Sequence, residues 1–229
     1  MQLEDALFEL PDAIYSLGLV LMQRVEIAES PAELCSAIDD FAHEMLRSER
    51  EMPPETRKPI RDLLRQGGFK PSGRNRPASE YLANDLATRG AFNFINNLVD
   101  INNFLSLQYF VPMSVLDADV FKGRVHLRFG RAGERYIFNP AGQELDLEGL
   151  LLTADLCDGE SIPLGSPIKD SMAGKLTPET KSALVVVYSH PGVTTDEQMA
   201  AMLEEWCDLS ARYASAEGFA TRVLSRTEK

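Results

Sequence analysis

Cysteine, histidine and tryptophan are scarce: three, three and one in 229 residues. Cys35, Cys157 and Cys207 are odd in number, far apart and form no CxxC pair, which excludes a disulfide framework and a zinc knuckle. His43, His126 and His190 show no metal-ligand spacing, so neither a metal nor another cofactor is expected. No apolar run reaches the roughly 18 residues of a membrane span, and the opening MQLEDALFELPD is acidic where a secretory signal is basic and then apolar. A cytoplasmic protein with no membrane partner is the expectation. Cationic residues are also few, 23 against 35 acids, and the net charge of -12 opposes any broad grip on a polyanion. DNA is therefore not an expected partner, and any RNA contact must be local. GxGxxG, a Walker loop, HExxH and GxSxG are all missing, which disfavours nucleotide cofactors, zinc hydrolases and serine esterases.

What is present is an ordinary globular composition, 44% hydrophobic and 25% charged. Its one basic block runs from Arg57 to Arg76, with Arg57, Lys58, Arg61, Arg65, Lys70, Arg74 and Arg76 against the single acid Asp62. Such a block reads either as a solvated helix face followed by a loop or as a landing strip for phosphates. Leu17 to Ile27 is apolar enough for an early buried strand. Ser30-Pro31-Ala32-Glu33 reads as an N-cap, a first-turn proline and a capping glutamate ahead of a helix carrying Leu34, Ile38, Phe41 and Met45. Further helices are expected over 54–66 and 77–89, the latter closed by Gly90. After about residue 110 the period shortens: RVHLRF (124–129), RYIF (135–138), LLLTAD (150–155) and ALVVVY (183–188) read as strands. Thr194 to Glu197 (TTDE) reads as a capping box opening a long amphipathic helix with Met199, Met202, Leu203, Trp206, Leu209 and Tyr213, ended by Gly218. No repeat or linker divides the chain, so a single α+β domain is expected, with 1–70 as an N-terminal elaboration and 194–229 as a closing helix and strand.

The stretch Asn96 to Phe104, NNLVDINNF, sets four asparagines and an aspartate among core-forming residues. On a helix Asn96, Asp100 and Asn103 share one face. Capping explains the first asparagines, and Asp100 can anchor a neighbouring loop. Asn102 and Asn103 lie deeper, where an unpaired amide costs about 1–3 kcal/mol, and a ligand cavity would supply partners.

The run from Arg76 to Glu134, RPASEYLANDLATRGAFNFINNLVDINNFLSLQYFVPMSVLDADVFKGRVHLRFGRAGE, resembles the B3/B4 domain of the phenylalanyl-tRNA synthetase β subunit. There an IN-x-x-VD-x-x-N-(Y/F) helix leads to a P-L-H-A-F-D turn, a D-x-x-x-x-G connection and a strand. The likeness continues more weakly to about Tyr188, and the short length is similar to freestanding B3/B4 proteins. It implies a three-layer β-β-α sandwich with extra helices in the N-terminal third. It also implies an editing site that hydrolyses misacylated tRNA in a cleft holding the 3′-terminal adenosine and the aminoacyl ester.

Carried over by motif, the water-placing asparagine matches Asn103, its neighbouring threonine is Asn102, and the aspartates match Asp100 and Asp117. The histidine of the turn falls at Ser114, which keeps a hydroxyl able to hold a water. The glutamate that reads a tyrosine hydroxyl falls at Val186 or Val187, so an apolar amino acid is favoured over tyrosine. The expected catalytic set is Asn103, Asn102 and Ser114. Asn96, Asp100, Lys169, Asp170, Ser171 and Thr180 are expected to bind substrate, and Arg65, Lys70, Arg74 and Arg76 to meet acceptor-end phosphates. The leading function is a trans-acting aminoacyl-tRNA deacylase with aminoacyl-tRNA or its 3′ end as partner. The alternative is a non-catalytic module binding an RNA end or an amino acid.

Overall fold

The computed structural model describes residues 2–73 and 75–227. Ten strands and five helices follow in the order β1 (Leu7–Glu9), β2 (Tyr15–Gln23), α1 (Ala32–Arg47), α2 (Pro54–Arg65), α3 (Ala78–Arg89), α4 (Asn97–Tyr109), β3 (Met113–Asp117), β4 (Arg124–Phe129), β5 (Arg135–Ile137), β6 (Glu144–Asp146), β7 (Leu151–Cys157), β8 (Glu160–Gly165), β9 (Ser182–Ser189), α5 (Asp196–Ala214) and β10 (Glu217–Arg226). One sheet has the order β10-β2-β9-β3 and the other β1-β4-β7-β8, while β5 and β6 pair as a separate ribbon.

Alternation along the central strands builds the layers. Leu17, Leu19 and Leu21 of β2 and Leu184, Val186 and Tyr188 of β9 turn toward Val125 and Leu127 of β4 and Leu152 of β7, and make the core between the sheets. The intervening Val20, Met22, Val185 and Val187 face the other way. There they meet Leu34 and Ile38 of α1, Leu98, Ile101 and Leu105 of α4, and Met199, Leu203 and Trp206 of α5. The result is a three-layer β-β-α sandwich, an α+β fold. A third apolar cluster, with Met45, Met52, Leu86, Leu107 and Phe110, ties α1, α3 and α4 together outside the sheets.

Several local expectations shift. The first long strand covers Tyr15–Gln23 rather than 17–27, because Arg24 takes a left-handed φ of 56° and turns the chain. Pro31, not Ser30, precedes α1, and Ser30 instead donates its hydroxyl to Asp100 at 2.5 Å. The α5 box is formed by Thr195 and Gln198, one residue later than expected, since Thr194 bonds Ser189 across the turn at 2.6 Å. That helix stops at Ala214 with Ser215 left-handed, and Gly218 lies within β10 beside its register shift. The segment read as a turn, PMSVLD, contains strand β3, whose five residues are all buried.

Candidate functional site

Helix α4 answers the question raised by its asparagines one at a time. Asn96 is the N-cap and accepts from the Val99 amide at 3.0 Å, so it precedes the helix rather than sharing a face with Asp100 and Asn103. Asn97 saturates its carboxamide, donating to the carbonyls of Glu26 (2.8 Å) and Tyr213 (3.0 Å) and accepting from the amides of Leu98 (2.9 Å) and Ala28 (3.3 Å). Asp100 is fully buried and accepts from Ser30 Oγ and the Ile95 amide (2.8 Å), an anchor for both flanking loops. Burial nevertheless pushes its pKa up.

Asn102 and Asn103 differ from these. Asn102 donates Nδ2 weakly to the Met113 carbonyl (3.4 Å) and to Asn103 Oδ1 (3.3 Å), and its own buried Oδ1 has no protein partner. Because Asn103 Oδ1 accepts from its neighbour, Asn103 Nδ2 is the end left for a ligand. Asn103 is half-buried and lines a cavity of about 250 Å³ between α3 and α4. The floor of that cavity is Leu82, Leu86, Phe92 and Leu107. Its polar lining is Tyr81, Asp85, Arg89, Asn93 and Asn103. Asp85 and Arg89 pair at 2.7 Å. Sequence reasoning missed Tyr81, Asp85 and Arg89, although their spacing of four residues was a legible signal of one helix face.

Ser114 and Asp170 lie in a different layer. Ser114 pairs with Val186 across β3 and β9, so both turn into the space between the sheets. Ser114 is fully buried and donates to Asp170 at 2.7 Å, with the Ser166 carbonyl oxygen at 3.2 Å as the other acceptor in reach of the same proton. Burial pushes the Asp170 pKa up to about 7, against the opposing bonds from Ser114 and the Ser166 amide. The loop around them is self-bonded: Ser166 Oγ donates to the Lys169 carbonyl (2.8 Å), and the buried Tyr136 hydroxyl bonds the same carbonyl (2.5 Å). Lys169 Nζ lies 4.1 Å over the Phe138 ring. Ser171 caps a single 3-10 turn through the Ala173 amide, and Thr180 donates to Asp117 at 2.7 Å. Asn103 thus shares its cavity with neither Ser114 nor Lys169, and the residues expected at one cleft are distributed over two layers.

Within the basic block, Arg65 pairs with Asp62 (2.7 Å), and Lys70 is exposed. Arg76 lines a second cavity, and Arg74 lies outside the described residues. His190 Nδ1 accepts from the Gly192 amide at 3.0 Å, an ordinary turn contact, and burial lowers its pKa. Among the described residues no cluster of three His, Cys, Asp or Glu could hold a metal, and no helix is long and apolar enough to cross a membrane.

Comparison with known proteins identifies a family. The family model described as B3/4 domain matches residues 70–212. A stretch of 79 residues is 34% identical to the phenylalanine–tRNA ligase beta subunit of Streptococcus pneumoniae, covering 34% of this chain and 10% of that protein. Against the same subunit of Bartonella henselae the identity is 36% over 75 residues, covering 29% of this chain and 9% of the relative. The matches thus span about a tenth of the length of these relatives. Among solved structures, an N-terminal fragment of the Pyrococcus horikoshii phenylalanyl-tRNA synthetase beta subunit aligns with 56% of this chain and 45% of that chain, at 12% identity and a TM-score of 0.40.

Proposed function

The chain belongs to the B3/4 domain family, and from that premise we propose that it is a trans-acting deacylase for tRNA esterified with an apolar amino acid. The observation that carries the reading is the carboxamide of Asn103 facing a small cavity with an apolar floor. About 250 Å³ suits an aminoacyl side chain rather than a whole nucleotide. Leu82, Leu86, Phe92 and Leu107 would receive that side chain, an apolar floor that favours an apolar amino acid.

In this reading Asn103 Nδ2 donates to the ester carbonyl oxygen as it becomes an oxyanion, and the Asp85 carboxylate accepts a proton from the attacking water. The water oxygen bonds to the carbonyl carbon and the bond to the ribose oxygen breaks. The proton passes to the ribose, leaving a free amino acid and deacylated tRNA. Ser114 takes no part, since its hydroxyl is closed off against Asp170.

The test is hydrolysis of a panel of aminoacyl-tRNAs by the purified chain. Acceleration is expected for esters of apolar amino acids, with Asn103→Ala lowering the rate about 10²-fold. No acceleration over spontaneous loss for any ester, or full activity in Asn103→Ala, overturns the proposal. A second reading, binding without turnover, is favoured by the closure of Ser114, which removes the group at the family's histidine position from contact with substrate. Thermal stabilisation by an aminoacyl-adenosine analogue with no ester turnover is the outcome that selects it.

A further inference from the structure

A larger cavity, about 550 Å³, lies on the other side of α3, where the end of α1, the connection to α2 and the first turns of α2 meet. Most of its lining, from Met45 to Arg61, precedes the residues matched by the family model. Four arginines border it in a chain whose net charge is -12: Arg50, Arg57, Arg61 and Arg76. Arg61 is committed to Glu80, which is 5% exposed, by two bonds of 2.7 and 2.6 Å.

The other three are held differently. Each gives one N–H to a backbone carbonyl: Arg50 to Gln108 (3.0 Å), Arg57 to Met52 (3.2 Å) and Arg76 to Gly73 (2.8 Å). Arg50 also lies 5.1 Å over the Phe110 ring. Among the described residues none of the three has a carboxylate partner. A guanidinium has five N–H donors, so these contacts fix orientation and leave most donors, and the charge, for a ligand.

We propose that this cavity binds a nucleoside 5′-monophosphate. Three guanidiniums bordering one cavity offer more donors than one carboxylate can use, a number suited to the oxygens of a phosphate monoester. Met45, Met52, Leu86 and Ala83 supply an apolar wall for a base, and the volume falls in the range of about 300–1,000 Å³ typical of small-molecule pockets. The rim acids Glu49 and Glu51 provide acceptors for ribose hydroxyls and repel a polyanion continuing past the mouth, which favours a free nucleotide over a strand. The site shares Leu86 with the Asn103 cavity but none of its polar groups, and does not depend on ester hydrolysis.

Calorimetric titration of the full chain with AMP, adenosine and a 5′-hydroxyl ribo-oligonucleotide tests it. Saturable AMP binding is expected, with adenosine about tenfold weaker or worse, and with Arg57→Leu and Arg50→Gln each weakening AMP by about tenfold. Two variants guard against a folding defect in one, and each is checked by its thermal transition. No heat with AMP to millimolar concentration, equal affinity for adenosine, or unchanged affinity in both folded variants overturns the proposal. So does tighter binding of the oligonucleotide than of AMP, which would make this a strand-binding surface.

Discussion

Replacing Asn97 by alanine removes the knot that fixes the start of α4, and with it the placement of Asn102 and Asn103. Asn97 is 2% exposed, and its carboxamide joins the segment after β2, through Glu26 and Ala28, to the end of α5, through Tyr213. Four hydrogen bonds are lost, three of them between 2.8 and 3.0 Å, and the carbonyls of Glu26 and Tyr213 lose a buried donor. At about 1 kcal/mol per bond, with desolvation added where no water enters, the loss is about 2–4 kcal/mol. Urea unfolding read by tryptophan fluorescence suits the measurement, because Trp206 is fully buried against α4 and β3. Asn97→Asp sharpens the test: an ionised carboxylate keeps the acceptor role but sets negative charge against two carbonyl oxygens. Its folded-state pKa must then rise above the unfolded value, so stability present at acid pH is lost as pH increases. A loss under about 1 kcal/mol for alanine, or identical pH dependence for the two variants, would refute the assignment.

Three other outcomes follow from the packing. Asp170 has a folded pKa near 7 against an ordinary 3.8, so it favours folding most below the unfolded value and less as pH climbs toward 7. The full effect is roughly 4 kcal/mol at most, an upper bound because the residue keeps some solvent access. Asp170→Asn should flatten the fall in urea midpoint between pH 4 and 7, and parallel profiles for variant and parent would contradict this. Gly67→Ala should destabilise by about 1–3 kcal/mol, because the added methyl meets the Gly149 carbonyl oxygen at 2.3 Å, whereas Gly18→Ala meets only side-chain atoms, the nearest being Met199 Sδ at 2.5 Å and Leu203 Cδ2 at 2.8 Å, and should cost less in the same unfolding assay. A fragment of residues 70–212 lacks β2, which sits between β10 and β9, and should show no cooperative thermal transition. A sharp one would mean that the matched segment is self-sufficient.

Much of the fold was legible because period and punctuation agreed. RVHLRF is β4 residue for residue, and Gly90 closes α3 with a φ of 70°. What failed failed for tertiary reasons. Ser30 has the chemistry of a cap, but a buried carboxylate 70 residues away competes for its hydroxyl. β3 reads as a turn only through the family motif it resembles, and its pairing with β9, far along the chain, is a tertiary fact that the motif does not carry. Of the residues lining the candidate cavity, Asn103 alone was singled out from the sequence. Asn103 was identifiable from its unlikely position, whereas Asp85 and Arg89 look like ordinary surface charges until α3 packs against α4.

Strand geometry decides which of these residues can meet. Along β3, Met113 and Val115 turn toward the helices, so Ser114 between them must turn toward the opposite sheet. Asn102 reaches only the Met113 carbonyl, the backbone of the strand itself, and the Ser114 side chain lies beyond it. Bringing Ser114 to a ligand would mean breaking its bonds to Asp170 and the Ser166 carbonyl, and displacing a loop that Ser166 and Tyr136 hold at the Lys169 carbonyl. A ligand entering beside Asn103 disturbs none of these. The α3–α4 cavity already has an apolar floor, an oriented amide and a carboxylate. Under the proposed function, chemistry would therefore be confined to the helical layer, and the polar cluster around Asp170 would act on stability and its pH dependence rather than on substrate.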